Sequence, residues 1–164
     1  MSEKELNDLI ECLEKMPVFV ERLAGEFANA ASWKFSQNEF SLLEKVCHLN
    51  DIEREGYAVR IAKMLDEHQP FLPDVDGGKL AAERDYNSRN LAEMLHSFAA
   101  ARQENIETIK NLSLEQLSRS GEFENAGAVT LWRVLTMMRE HDAAHVAELN
   151  DLRGKLAQQT ETAK

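Results

Sequence analysis

Five histidines are spread over the 164 residues, and three of them stand where imidazole nitrogens could share an ion. Two lie in the run His141-Asp142-Ala143-Ala144-His145. On a helix, residues four apart project from one face with Cβ atoms about 5–6 Å apart, so both rings can aim a nitrogen at one cation. The spacing alone is weak, because five histidines in a chain this long produce one such pair by chance with a probability of about 0.15. Angular position adds to it. At about 100° per residue the pair shares its direction with Val134, Met138 and Leu152, which turns both rings toward a core. Two inward imidazoles without partners would leave polar nitrogens unsatisfied at about 1–3 kcal/mol apiece. A shared ion removes that cost, and so would hydrogen bonds with Asp142, Glu148 or backbone carbonyls.

His48 is the third candidate. By the same angular count its face carries Glu44, Asp51, Ile52, Glu55 and Val59, an apolar face with carboxylates inserted. Read alone, a histidine on such a face is more often a hydrogen-bonded core residue than a ligand, but inward-facing second and fourth helices can bring it to the other pair. Asp51, close by in sequence, could orient the ring, ligate directly or act on a bound water. Glu93-x-x-His96 has di-iron spacing, but a ferritin-like centre needs a second such motif and the chain has none. His68 sits beside a proline-containing loop. Neither His68 nor His96 enters the expected site.

The elements that must position these residues are helical. Ser2-x-x-Glu5 has the form of a capping box, and apolar residues at spacings of three and four from Leu6 to Phe27 predict a first helix over about 3–28, kinked at Pro17. Ser36-x-x-Glu39 reads as a second capping box opening a helix to about residue 68, stopped by Pro70 and Pro73. Residues 69–78, with two prolines and Gly77-Gly78, read as the clearest loop. A third helix is expected from Lys79 or Asp85 to Lys110, a single turn at Ser113-x-x-Gln116, and a polar loop over 119–127. The fourth long helix covers about 129–157, with a fraying tail from about 158. Four such segments suit a four-helix bundle of one domain over 1–164, although the long connection between helices two and three leaves the order of the helices open.

Composition agrees. The chain is 43% hydrophobic and 29% charged with few aromatics, glycines and prolines, which favours an all-α fold. A net charge of −10 with no basic cluster argues against nucleic-acid binding. Cys12 and Cys47 are widely separated within apolar helical patterns and read as buried free thiols. A charged N-terminus and the lack of an apolar run approaching about 20 residues argue against secretion and membrane insertion, leaving a cytoplasmic protein as the expectation.

The run Trp33-Lys34-Phe35-Ser36 leading to Glu39, followed by Val46-Cys47-His48-Leu49-Asn50-Asp51-Ile52-Glu53, resembles the first signature of the DinB-like (YfiT-like) metal-binding four-helix proteins. Gly127-Ala128-Val129-Thr130-Leu131 and then His141-Asp142-x-x-His145 resemble the second, and Phe98-x-x-x-Arg102 with Arg119 and Gly121 falls in the family's order. Many members carry a histidine near 119–123; this chain does not. The resemblance covers most of the chain. It implies a bundle with a divalent metal ion, zinc or nickel, held between helices two and four by His48, His141 and His145, and it implies a homodimer. Three neutral nitrogens leave a coordination position for water or substrate, as in catalytic rather than structural zinc sites.

Two functions follow as expectations. The first is a metal-dependent enzyme that activates a water or a low-molecular-weight thiol cosubstrate against a small electrophilic molecule, a hydrolase or a thiol-dependent transferase. Asp51 or Asp142 would accept the proton, and Arg102 would hold an anionic group of the substrate. The second is a non-catalytic metal-binding stress-response protein, in which Asp51 or Glu55 closes the coordination.

Overall fold

A computed structural model describes residues 2–162. Helix α1 spans Glu3–Glu26, capped by Ser2, whose hydroxyl accepts from the Glu5 amide, and it continues unbroken through Pro17. Helix α2, Leu42–Asp51, runs on through a π-helical turn, Ile52–Tyr57, into α3, Ala58–Asp66. After β1, Phe71–Leu72, come α4, Gly77–Arg84, and α5, Leu91–Lys110. The single turn α6, Leu114–Leu117, leads into β2, Ser120–Phe123, β3, Gly127–Thr130, and the long α7, Leu131–Thr162. None of the described helices is long and apolar enough to cross a membrane.

The four-helix bundle follows from the pairing of these helices. Helix α5 packs against α1 and α2, and α7 against α1 and α3, so the first two long helices stand diagonally across the bundle. Two apolar clusters fix the chain directions. One end gathers Leu6 to Leu13, Tyr57 to Met64, Ile106, Ile109 and Leu131 to Met138. The other gathers Met16 to Leu23, Leu42 to Leu49, Phe98 and Leu149 to Leu156. The first and last long helices therefore run one way and the second and third the other. The long connections follow from this order: 67–90 joins parallel neighbours, which no tight turn can do, and 27–41 crosses the diagonal between two antiparallel helices.

Several local expectations are corrected. The second helix opens at Ser41-x-x-Glu44, where both bonds of a capping box form: Ser41 Oγ accepts from the Glu44 amide at 3.1 Å and Glu44 Oε2 from the Ser41 amide at 2.7 Å. Two successive S-x-x-E patterns compete here, at 36–39 and 41–44, and the second is used because it places Leu42 and Leu43 in the core. The loop expected at 119–127 is instead a β-hairpin. Its β2 strand pairs antiparallel with β3 and parallel with β1, giving a three-stranded sheet across one end of the bundle. Gly77-Gly78 opens α4 instead of belonging to the loop, the third helix divides at residues 85–90, and α7 runs to Thr162, past the expected fraying point. Cys47 is buried, whereas Cys12 is exposed.

Candidate metal centre

The middle of the bundle, between the two apolar clusters, is polar. Arg102, only 2% exposed, donates from Nη1 to Asp142 Oδ2 at 2.6 Å and from Nη2 to Asp142 Oδ1 and Glu53 Oε2, both at 2.9 Å. Asn105 donates to the other oxygen of Glu53 at 2.7 Å, and Arg102 Nη1 also reaches the Leu13 carbonyl. Burial pushes the Glu53 carboxyl up, against the pull of Arg102. This network ties the four long helices together at mid-height. It also reassigns two residues: Arg102 has no surface to offer a substrate, and Asp142 is held in a two-pronged ion pair that satisfies both of its oxygens.

On either side of Asp142 along α7 stand His141 and His145, and there the histidines meet. His141 Nε2 and His145 Nε2 are 3.1 Å apart. The His48 ring, from α2, has its centre 4.9 Å from that of His145 and 5.7 Å from that of His141, and one nitrogen from each ring falls within 4.8 Å of the other two. The three residues singled out by spacing and resemblance are thus brought together. The exposed His68 and His96 stand apart from them.

The donor set suits a borderline divalent cation. Two nitrogens bound to one zinc at about 2.0–2.1 Å in a tetrahedron stand about 3.3 Å apart, close to the observed separation of the two Nε2 atoms. Burial pushes all three imidazoles toward the neutral form that a metal requires: His48 to about 4, His141 to about 3, and His145 also down. The proximity of the rings to one another adds to the effect in His48 and His141. His145 Nδ1 lies 3.0 Å from Glu148 Oε2, and Lys45 pairs with the same carboxylate. Burial works against ionisation of Glu148, yet the Lys45 ammonium holds it below the usual carboxylate range, so an anion steadies His145 from behind. His48 rests its Nδ1–Cε1 edge on Gly77: a Cβ there would lie 2.3 Å from Cε1 and 2.6 Å from Nδ1.

These rings open into a pocket of about 410 Å³ whose wall also includes Ile52, Tyr57, Arg60, Asp74, Phe123 and Met137. Asp51 and Glu55 are not on it. Arg84 of α4 donates to Asp51 at 2.7 Å and to Glu55 at 2.5 and 2.9 Å, and Tyr86 donates to Asp51 at 2.7 Å. Both carboxylates are therefore occupied in fastening α4 to the second long helix, and the closed coordination sphere that one of them would have completed finds no support.

The π-helical turn explains why a uniform angular count fails beyond Ile52. Twelve residues at 100° put His48 and Arg60 about 120° apart; absorbing one extra residue in the wide turn leaves them about 20° apart. The same shift carries Val59 and Glu55 out to solvent, where both are found. Tyr57 and Arg60 escape sequence reasoning for this reason. Gly56, an uncommon residue inside a helix, is the one hint of irregularity in the sequence.

The profile of the DinB superfamily matches residues 9–149. The chain belongs to the DinB superfamily. Among the solved structures similar to this DinB chain is YfiT from Bacillus subtilis, described as a probable metal-dependent hydrolase with an unusual four-helix bundle topology. The two are 18% identical and superimpose with a TM-score of 0.84, over 96% of this chain and 90% of that one. Such a likeness establishes the fold. No functionally curated protein matches the chain.

Proposed function

We propose that His48, His141 and His145 hold a divalent metal ion, zinc or nickel, and that the protein is a metal-dependent enzyme acting on a small electrophilic molecule. Hydrolysis is the first reading and transfer to a low-molecular-weight thiol the second. The observation that carries this is the convergence of three imidazoles on an open pocket, with no carboxylate among the described residues joining the group. A divalent ion bound there supplies Lewis acidity toward a water or a thiol.

The chain's own residues do the rest. Burial of all three rings favours the neutral imidazole, which leaves one nitrogen of each ring with a free lone pair at neutral pH. Glu148 fixes the orientation of His145 and Gly77 that of His48. Ile52, Val75, Phe123 and Met137 make the pocket wall largely apolar, which limits water around a bound molecule. Burial pushes the Tyr57 phenol up, so it stays a hydroxyl, and its ring centre is 5.8 Å from that of His141. It can donate a hydrogen bond to an oxygen that gains charge during reaction.

The reading is tested by incubating metal-loaded protein with activated esters and amides, and separately with haloalkyl and epoxide electrophiles plus a thiol. Consumption that needs the metal and disappears in His141→Ala is expected. Consumption equal in metal-loaded and chelator-treated protein would count against it. Structural similarity to a protein described as a probable metal-dependent hydrolase favours the first arm.

A further inference from the structure

Arg60 is the one lysine or arginine on the wall of the histidine pocket among the described residues. It is 5% exposed, and its guanidinium lies 4.5 Å from the Phe123 ring centre and 5.6 Å from that of Tyr57. Nη2 donates to the Pro73 carbonyl and to Asp74 Oδ1, both at 3.2 Å, while Nε is buried with no acceptor among the described residues. Its carboxylate partner, Asp74, is half exposed. A Cβ on Gly56 would lie 3.3 Å from Nη1, so the helix backbone leaves the fork just enough room. A buried guanidinium with an orphaned donor is a costly arrangement, and a planar anion is what such a fork is shaped to receive.

We propose that Arg60 is the anion-recognition residue of this pocket, so that the molecule acted on beside His48, His141 and His145 carries a carboxylate or a comparable anionic oxygen group. This rests on the reading of the three histidines as metal ligands. Reactive group and anionic handle then share one small cavity, with Arg60 placed by the π-helical turn that brings it round to the face of His48. Asp74 holds the fork in position and competes with an incoming anion for it. A local cation is needed for such a preference, because the net charge of −10 works against any anionic ligand.

The test is equilibrium binding to cobalt-loaded protein, following the thiolate-to-cobalt absorption during titration with 3-mercaptopropanoate and with its neutral amide. The wild type should bind the acid at least about tenfold more tightly than the amide. Arg60→Gln should abolish the preference while moving the affinity for the amide by less than about twofold, and Arg60→Lys should keep part of the preference. Should Arg60→Gln fail to fold, Asp74→Asn carries the test, because freeing the fork should widen the preference by about threefold. Equal binding of acid and amide by the wild type overturns the proposal, as does an unchanged preference in Arg60→Gln or in Asp74→Asn. Protein that takes up no cobalt overturns the metal reading and this proposal together, whereas loaded cobalt without acid preference overturns this proposal alone.

Discussion

Gly77→Ala separates the candidate centre from the fold that carries it. The new methyl would stand 2.3 Å from His48 Cε1 and 2.6 Å from Nδ1, where ordinary contact begins near 3.4 Å, so the ring or the helix must yield by about 1 Å. Helix α4 is poorly placed to retreat, because Arg84 fastens it to Asp51 and Glu55 through three short hydrogen bonds. The ring is left to move, and metal–ligand distances tolerate only about 0.2 Å. Displacing one imidazole of three should lower metal affinity by at least the roughly 10–100-fold that the loss of a mere orienting partner costs. The backbone has no objection to alanine here, since Gly77 is not in the left-handed region and alanine is the better helix former by about 1 kcal/mol. Competition with a chromophoric chelator would give the affinity, and circular dichroism with urea unfolding the fold. Wild-type affinity in Gly77→Ala would refute the placement of His48 at the centre, and loss of helical signal would refute the claim that site and fold are separable at this residue.

Other consequences can be checked in the same way. Glu148→Gln removes the anion behind His145 and should weaken metal binding by about 10–100-fold with the helical content unchanged, read by the same chelator competition. Arg102→Met leaves Glu53 and Asp142 buried without their cation and should destabilise the protein by about 3–5 kcal/mol in urea unfolding. In the metal-free protein, stability should fall as pH drops from about 6.5 toward 4, because the unfolded chain protonates its histidines before His48 and His141 can accept protons at about 4 and about 3. The His48 share approaches roughly 3 kcal/mol, and the slope should flatten in His48→Gln.

Much of the bundle can be read from the sequence because amphipathic period and capping chemistry are local. Ser2, Ser113 and the apolar residues at spacings of three and four from Leu6 to Phe27 declare their helices without reference to the rest of the chain. His141 and His145 are accessible for the same reason, being one turn apart on an uninterrupted helix. His48 needs the resemblance, since nothing local says which helices will meet. What stays hidden depends on long-range packing. The β-hairpin at 120–130 has alternating burial in β2 but is too short to announce itself, and it is held by pairing with β1, some 50 residues earlier. The π-helical turn resets the angular register, so a uniform count places Glu55 and Val59 where Tyr57 and Arg60 stand. Arg102 and Asp142 stand out in the sequence as charges within an apolar pattern, which suits a substrate contact and a proton acceptor as well as a buried pair. Only the short distance between them shows that they serve the bundle.

The most direct test of the centre is elemental analysis of protein purified without a metal-affinity column and equilibrated with zinc or nickel. About one ion per chain should be bound by the wild type, with the content falling sharply in each of His48→Ala, His141→Ala and His145→Ala while the helical signal persists. A wild-type protein that retains no stoichiometric ion, or three variants that all load as well as it does, would contradict the assignment.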